Sequence, residues 1–186
     1  SGFAHAVGLD TYLRLLEKTV DRLRKGPAEE SFPEPEISLS GSAFLPDSYI
    51  SDSGQKLHLY RRLSKMKSRA EVEDLRRELR DRFGPIPPEA EALLDGATLR
   101  LLAQGLGVER ILLRGREGRV SFLSGVVPAL ARLDKPLEDR QVQVEVKRMD
   151  PLSLVLKQAG AQELAQTLME AFSALSRAQE EAAKQV

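Results

Sequence analysis

Between Ser68 and Pro85 the chain is delimited as one helix at both ends. Ser68 and Glu71 stand as S-x-x-E. At that spacing the serine hydroxyl caps a free helical N–H while the glutamate carboxylate reaches back to the cap residue. Gly84 suits the left-handed position after a last turn, and Pro85 cannot continue a helix. A helix from 69 to about 82 is therefore predicted. Val72, Leu75, Leu79 and Phe83 fall within roughly an 80° arc and form its core stripe.

The flanking segments are read the same way. Residues 10–25 carry Tyr12, Leu13, Leu16, Val20 and Leu23 at helical spacing, between Asp10 as cap and Gly26-Pro27 as stop. Residues 26–35 hold three prolines and three glutamates and read as a linker in which only Phe32 can dock. A short strand is expected at 36–40. A helix capped by Asp52 or Ser53 is expected over 54–67, with Leu57, Tyr60, Leu63 and Met66 as its apolar stripe. Pro87-Pro88-Glu89 opens another helix, lined by Ala90, Leu93, Leu94, Ala97 and Leu101.

Strands follow at 110–114 and 119–123 around Gly115-Arg116-Glu117-Gly118, a hairpin signal. A short helix is expected near 126–133. Val142, Val144 and Val146 alternate with polar residues as in a half-buried strand, with 152–156 as its antiparallel partner across Met149-Asp150-Pro151. A closing helix over 160–183 has the stripe Ala161, Leu164, Leu168, Phe172 and Leu175. Helices, then a small antiparallel sheet, then a closing helix make an α+β layout.

Charge carries the functional signal. The chain has 28 basic and 28 acidic residues, so its net charge is zero, whereas a general nucleic-acid binder usually carries a basic excess. Within the helix 69–82, Glu71, Asp74, Glu78 and Asp81 form a second arc more than about 100° from the core stripe. Arg69, Arg76, Arg77 and Arg80 occupy a third. Acids stacked on one face repel by about a few tenths of a kcal/mol per neighbouring pair. Asp81 also lies at the helix end that disfavours an anion, by about 0.3–1 kcal/mol. Helix stability alone does not select this pattern. Either it is a solvated face partly neutralised by Glu78 and Arg82, or it is a docking face for basic residues of a partner. The helix 56–67 is the rival site. Its five basic residues could contact phosphates, or could be answered by the acids of the following helix.

Much chemistry is missing. There is no phosphate-cradling G-x-x-x-x-G-K-[ST], no G-x-G-x-x-G, no H-E-x-x-H and no G-x-S-x-G. The chain has no Cys, which excludes disulfides and thiolate sites and fits a cytoplasmic origin. Its two histidines, His5 and His58, are too few for most His-based metal sites. No cofactor, metal or enzymatic activity is expected, and no segment of the sequence suits a membrane span. The chain opens at Ser1-Gly2-Phe3 without Met, which suggests a piece of a longer protein.

Three stretches resemble the C-terminal part of the bacterial transcription-repair coupling factors. Ser1-Gly2, Val7-Gly8-Leu9 and Tyr12-Leu13 are similar to the tail of that family's translocation motif. Phe44-Leu45-Pro46-Asp47-Ser48-Tyr49-Ile50-Ser51-Asp52 with Leu59-Tyr60-Arg61-Arg62-Leu63 resembles its L-P-x-x-Y/F-I-x-D…Y-K/R-R pattern. Glu78-Leu79-Arg80-Asp81-Arg82-Phe83-Gly84-Pro85-Ile86-Pro87 resembles its E-L-x-D-R-F-G-x-x-P. The resemblance covers residues 1–110. It implies a helix at 1–26 left over from an upstream translocase motor, a linker at 27–35 and a regulatory α+β domain at 36–186. It further implies that this domain packs on the UvrB-like N-terminal module of the same protein and masks the surface that recruits UvrA. It also implies that the translocase of the parent protein, which engages RNA polymerase and DNA, is restrained until RNA polymerase is engaged. Glu78 and Asp81 fall where the family's interface acids lie, with Arg82, Glu71 and Asp74 beside them.

Overall fold

The computed structural model describes residues 32–128, 131–160 and 163–184. The helix expected at 10–25, the first part of the linker and Ala161 lie outside them. The class is α+β, with five helices and one five-stranded sheet among the described residues. The chain divides into two compact units. Residues 41–101 form one. Residues up to Ser40, together with those from Leu102 on, form the other. Along the chain, the helical unit separates the two segments of the sheet-bearing one.

In the helical unit, α1 (Ser53–Lys65) is capped by Asp52, whose carboxylate accepts from the Gln55 N–H at 2.6 Å. Next, α2 (Arg69–Phe83) carries the full capping box expected from Ser68 and Glu71. After the Pro85–Pro87 stretch, α3 (Pro88–Gly105) begins in this unit and runs past its boundary. Leu59, Leu63, Met66, Leu75, Leu79 and Leu94 lie in one buried cluster. The stripe expected on α1 needs a correction. Leu59, not Leu57, faces this core, and Leu57 is half exposed. The positions 57, 60, 63 and 66 are spaced by threes, which drifts about 60° per step around a helix, whereas 59, 63 and 66 alternate four and three.

The sheet runs β1-β2-β3-β5-β4. Its strands are β1 (Glu36–Leu39), β2 (Val108–Arg114), β3 (Glu117–Phe122), β4 (Val142–Met149) and β5 (Leu152–Gln158). The sheet expected to be antiparallel is mixed, because β1 pairs in parallel with β2, Ile37 beside Ile111. The other pairs are antiparallel. The hairpin loop is shorter than expected. Arg114 pairs with Glu117, leaving Gly115-Arg116 as a two-residue turn with glycine at φ +59° in its first central position.

The short helix lies later than expected, at α4 (Ala131–Glu138). Residues 126–128 are not helical, since Pro128 disfavours helical geometry at Val127. The closing helix, α5 (Leu164–Lys184), buries Leu164, Leu168, Phe172 and Leu175, as expected from its stripe. It lies on the sheet at Gly118, where an added Cβ would stand 2.9 Å from Leu164 Cδ2. Phe32 docks in this unit, its carbonyl accepting from Gln104 Nε2 at 2.8 Å.

Candidate protein-docking site on the helical unit

The acidic arc of α2 is present as drawn from the sequence, but its four carboxylates are in four different situations. Glu71 belongs to the cap. Its Oε2 accepts from the Lys67 N–H at 2.7 Å and the Ser68 N–H at 2.8 Å, and these donors hold its pKa below the usual glutamate range. Asp74 pairs with Arg77, one turn on. Glu78 is held between two guanidinium groups. Arg62 of α1 donates to Oε2 at 2.6 Å and Arg82 to Oε1 at 2.8 Å. The hydrogen bond from Arg62 does most to hold the Glu78 pKa below the ordinary range; burial opposes it, and Arg82 adds to the lowering.

Asp81 alone is exposed with no hydrogen bond or ion pair among the described residues. It sits in the last turn, at the negative end of the helix dipole, so its placement costs about 0.3–1 kcal/mol. Of the five residues singled out from the sequence, Glu78 and Arg82 are brought together, Glu71 and Asp74 serve α2 itself, and Asp81 is left facing solvent.

The turn carrying Asp81 is held by contacts among Arg82, Phe83 and Tyr49, of which only Arg82 was singled out from the sequence as a site residue. Arg82 lies over the Phe83 ring at 4.9 Å from its centroid. Phe83 meets Tyr49 edge to face, centroids 5.8 Å apart at 61°. The Tyr49 hydroxyl reaches the Leu79 carbonyl at 3.0 Å and the Gly84 carbonyl at 3.1 Å, which secures the end of the helix. Burial raises the Tyr49 pKa, with Glu91 adding to the rise and Arg80 opposing it. Gly84 adopts φ +84°, a conformation other residues rarely take. Arg76 fixes α2 to α3. It donates to Glu73 at 2.7 Å and Asp95 at 2.8 Å, and its Nε lies 3.0 Å from Glu91, close enough to pair but not aligned to hydrogen-bond. An S-x-x-E cap can be read from spacing alone. The Tyr49 and Arg76 contacts cross between elements and have no such local signature.

On α1, Arg62 is answered by Glu78 and Lys56 by Asp47. Arg61 and Lys65 are exposed and make no side-chain ion pair among the described residues. Among those residues there is no cluster of three or more His, Cys, Asp or Glu fit to hold a metal, and no helix long and apolar enough to cross a membrane.

A family model described as the TRCF domain matches residues 39–131, which include all of α1, α2 and α3. The chain belongs to the TRCF-domain family. Its relatives include the transcription-repair-coupling factor of Escherichia coli K12, 36% identical over 126 residues, and that of Rickettsia prowazekii, 40% identical over 113. These alignments cover 66% and 60% of this chain but 11% and 10% of the relatives. A third, from Staphylococcus epidermidis, is 33% identical over 158 residues, 84% of this chain and 13% of the relative. This TRCF-domain chain thus spans about a tenth of the length of the curated relatives it matches. Its fold is also that of a crystal structure of the C-terminal domain of a transcription-repair coupling factor. The TM-score is 0.68 at 20% identity, covering 85% of this chain and 99% of that one. The whole acidic arc of α2 lies inside the segment that the TRCF family model matches.

Proposed function

We propose that this TRCF domain is a non-catalytic regulatory module of a cytoplasmic transcription-repair coupling factor. Through the end of α2 it packs on the UvrB-like N-terminal module of the same protein. There it masks the surface that recruits UvrA, and it restrains the DNA translocase until RNA polymerase is engaged.

The observation that carries this is Asp81. An exposed carboxylate with no partner among the described residues stands on a turn held by Tyr49, Phe83 and Arg82. A preorganised charge suits a basic partner, since little ordering is needed when it docks. Glu78 contributes by holding Arg82 in place beside it.

The test uses the full-length parent. Asp81→Lys reverses the one carboxylate of the α2 arc that has no partner among the described residues, so the fold should be unchanged. A charge pair desolvated at an interface is worth ~2–5 kcal/mol when broken, so UvrA should bind the variant roughly tenfold or more tightly. UvrA affinity equal to that of the unaltered protein, measured by calorimetry at low salt, would refute the assignment. Glu78→Lys is the poorer probe, because it also removes the partner of Arg62.

A further inference from the structure

We propose that the outward face of α1 is a second docking surface, for an acidic polypeptide segment that carries an aliphatic or aromatic side chain. This surface has chemistry opposite to that of Asp81 and does not depend on it.

Leu57 starts the case. At 100° per residue it lies between about 120° and 180° from each of the buried residues Leu59, Leu63 and Met66, so it points away from the core. It is 50% exposed, in the middle of a helix with no acid from Ser53 to Lys65. A single exposed leucine is ordinary. Here it has company. Phe44 is 43% exposed, and these two are the exposed large hydrophobic side chains among the described residues. The loop next to Phe44 is fastened to the same helix, because the Leu45 N–H donates to the Tyr60 hydroxyl at 2.8 Å, one turn on from Leu57. The Phe44 N–H donates in turn to the Glu89 carbonyl at 3.2 Å. Phe44 is therefore displayed by a fixed backbone.

The charges around Leu57 specify the partner. Gly54, Arg61, Ser64 and Lys65 share its side of the helix, and all are exposed. Lys56 and Arg62 have internal acids, while Arg61 and Lys65 have none among the described residues. An aliphatic centre with an unanswered cationic rim is the arrangement of a protein interface, where the apolar part is dehydrated and the rim sets orientation and on-rate. Phosphates would use the cations but leave Leu57 against a charged backbone. The occupant is thus a segment whose Glu or Asp residues flank a Leu or Phe.

The experiment uses the full 186-residue chain and a labelled acidic peptide bearing one Leu and one Phe among glutamates. A second peptide has those two residues replaced by Ser, and a short DNA duplex serves as the third probe. The first peptide should bind in fluorescence anisotropy. Leu57→Ser should weaken it by about tenfold, the scale of one interface side chain that becomes buried. Arg61→Glu should weaken it further at low salt than at high salt, and Asp81→Lys should leave it unchanged. Circular dichroism and melting of Leu57→Ser should match the parent chain, since the residue lies outside the core. Binding of the Ser-substituted peptide equal to that of the first, or no loss with Leu57→Ser, would overturn the proposal. Tighter binding of the DNA duplex, indifferent to Leu57→Ser, would overturn it in favour of a phosphate-binding face.

Discussion

Replacing Tyr49 with Phe isolates the contact that holds the end of α2. The phenol O–H reaches two carbonyls, of Leu79 and Gly84, but it has one proton. The loss is therefore about one hydrogen bond, ~1 kcal/mol, with the ring and its edge-to-face packing on Phe83 kept. Tyr49→Ala removes the ring as well. The site is only half buried, so the total should be ~2–3 kcal/mol, below the full cost of emptying a core. Native-state hydrogen exchange at the Val72, Leu75 and Leu79 amides reads these losses within the helical unit. The order wild type, Phe, Ala should appear at all three. The folded-state pKa of Tyr49 is raised, so folding favours the protonated phenol. Its contribution is complete below the usual tyrosine value of about 10 and declines as pH rises through that value towards the folded one. Tyr49→Phe should remove that share of the alkaline decline. A Phe variant within about 0.3 kcal/mol of wild type, or an Ala variant no worse than Phe, would show that the tyrosine is not what secures the turn.

Leu59→Ala should cost ~2–5 kcal/mol in urea unfolding, while Leu57→Ala should change stability by less than about 0.5 kcal/mol; equal losses would return Leu57 to the core stripe. Glu71 and Glu78 both have depressed pKa values in the folded state, so their stabilisation is present above the ordinary carboxylate range and is lost as pH falls below about 4 through the folded values. Replacing either by Gln should flatten the acid limb of the stability profile, and an unchanged limb would contradict the arrangement.

Signals that act within one element were legible in the sequence. The Ser68–Glu71 cap, the β4–β5 pair across Asp150–Pro151 and the α5 stripe all depend on residues a few positions apart. Signals that cross elements were legible only in part. The sequence left open whether the acids of α2 answer the basic residues of α1, and the Arg62–Glu78 pair is such a contact, whereas Lys56 is answered by Asp47 instead. The parallel pairing of β1 with β2 joins strands separated by the whole helical unit, and no local pattern marks it. The α1 stripe failed for a narrower reason: Leu57 and Leu59 are both apolar, and it is the four-three spacing of 59, 63 and 66, not the run of threes from 57, that marks the buried face. Part of the candidate site was legible on its own. Asp81 stands out as a carboxylate at the unfavourable end of a helix, whereas the contacts that hold its turn needed the structure.

The pairing of β1 with β2 also sets an order of events during synthesis. Glu36 and Arg110 are neighbours in the sheet but 74 positions apart in the chain. A ribosome completes the segment 41–101 before β2 emerges, so β1 must wait without a partner while the helical unit folds. That unit then shortens the wait in a physical sense. Its internal hydrogen bond from Phe44 to Glu89 closes most of the intervening chain, reducing the loop left between β1 and β2 to roughly a third and its closure entropy by about 1 kcal/mol. The helical unit thus acts as a splint for the strand that precedes it, and a substitution that unfolds it should slow sheet formation without touching a single strand residue.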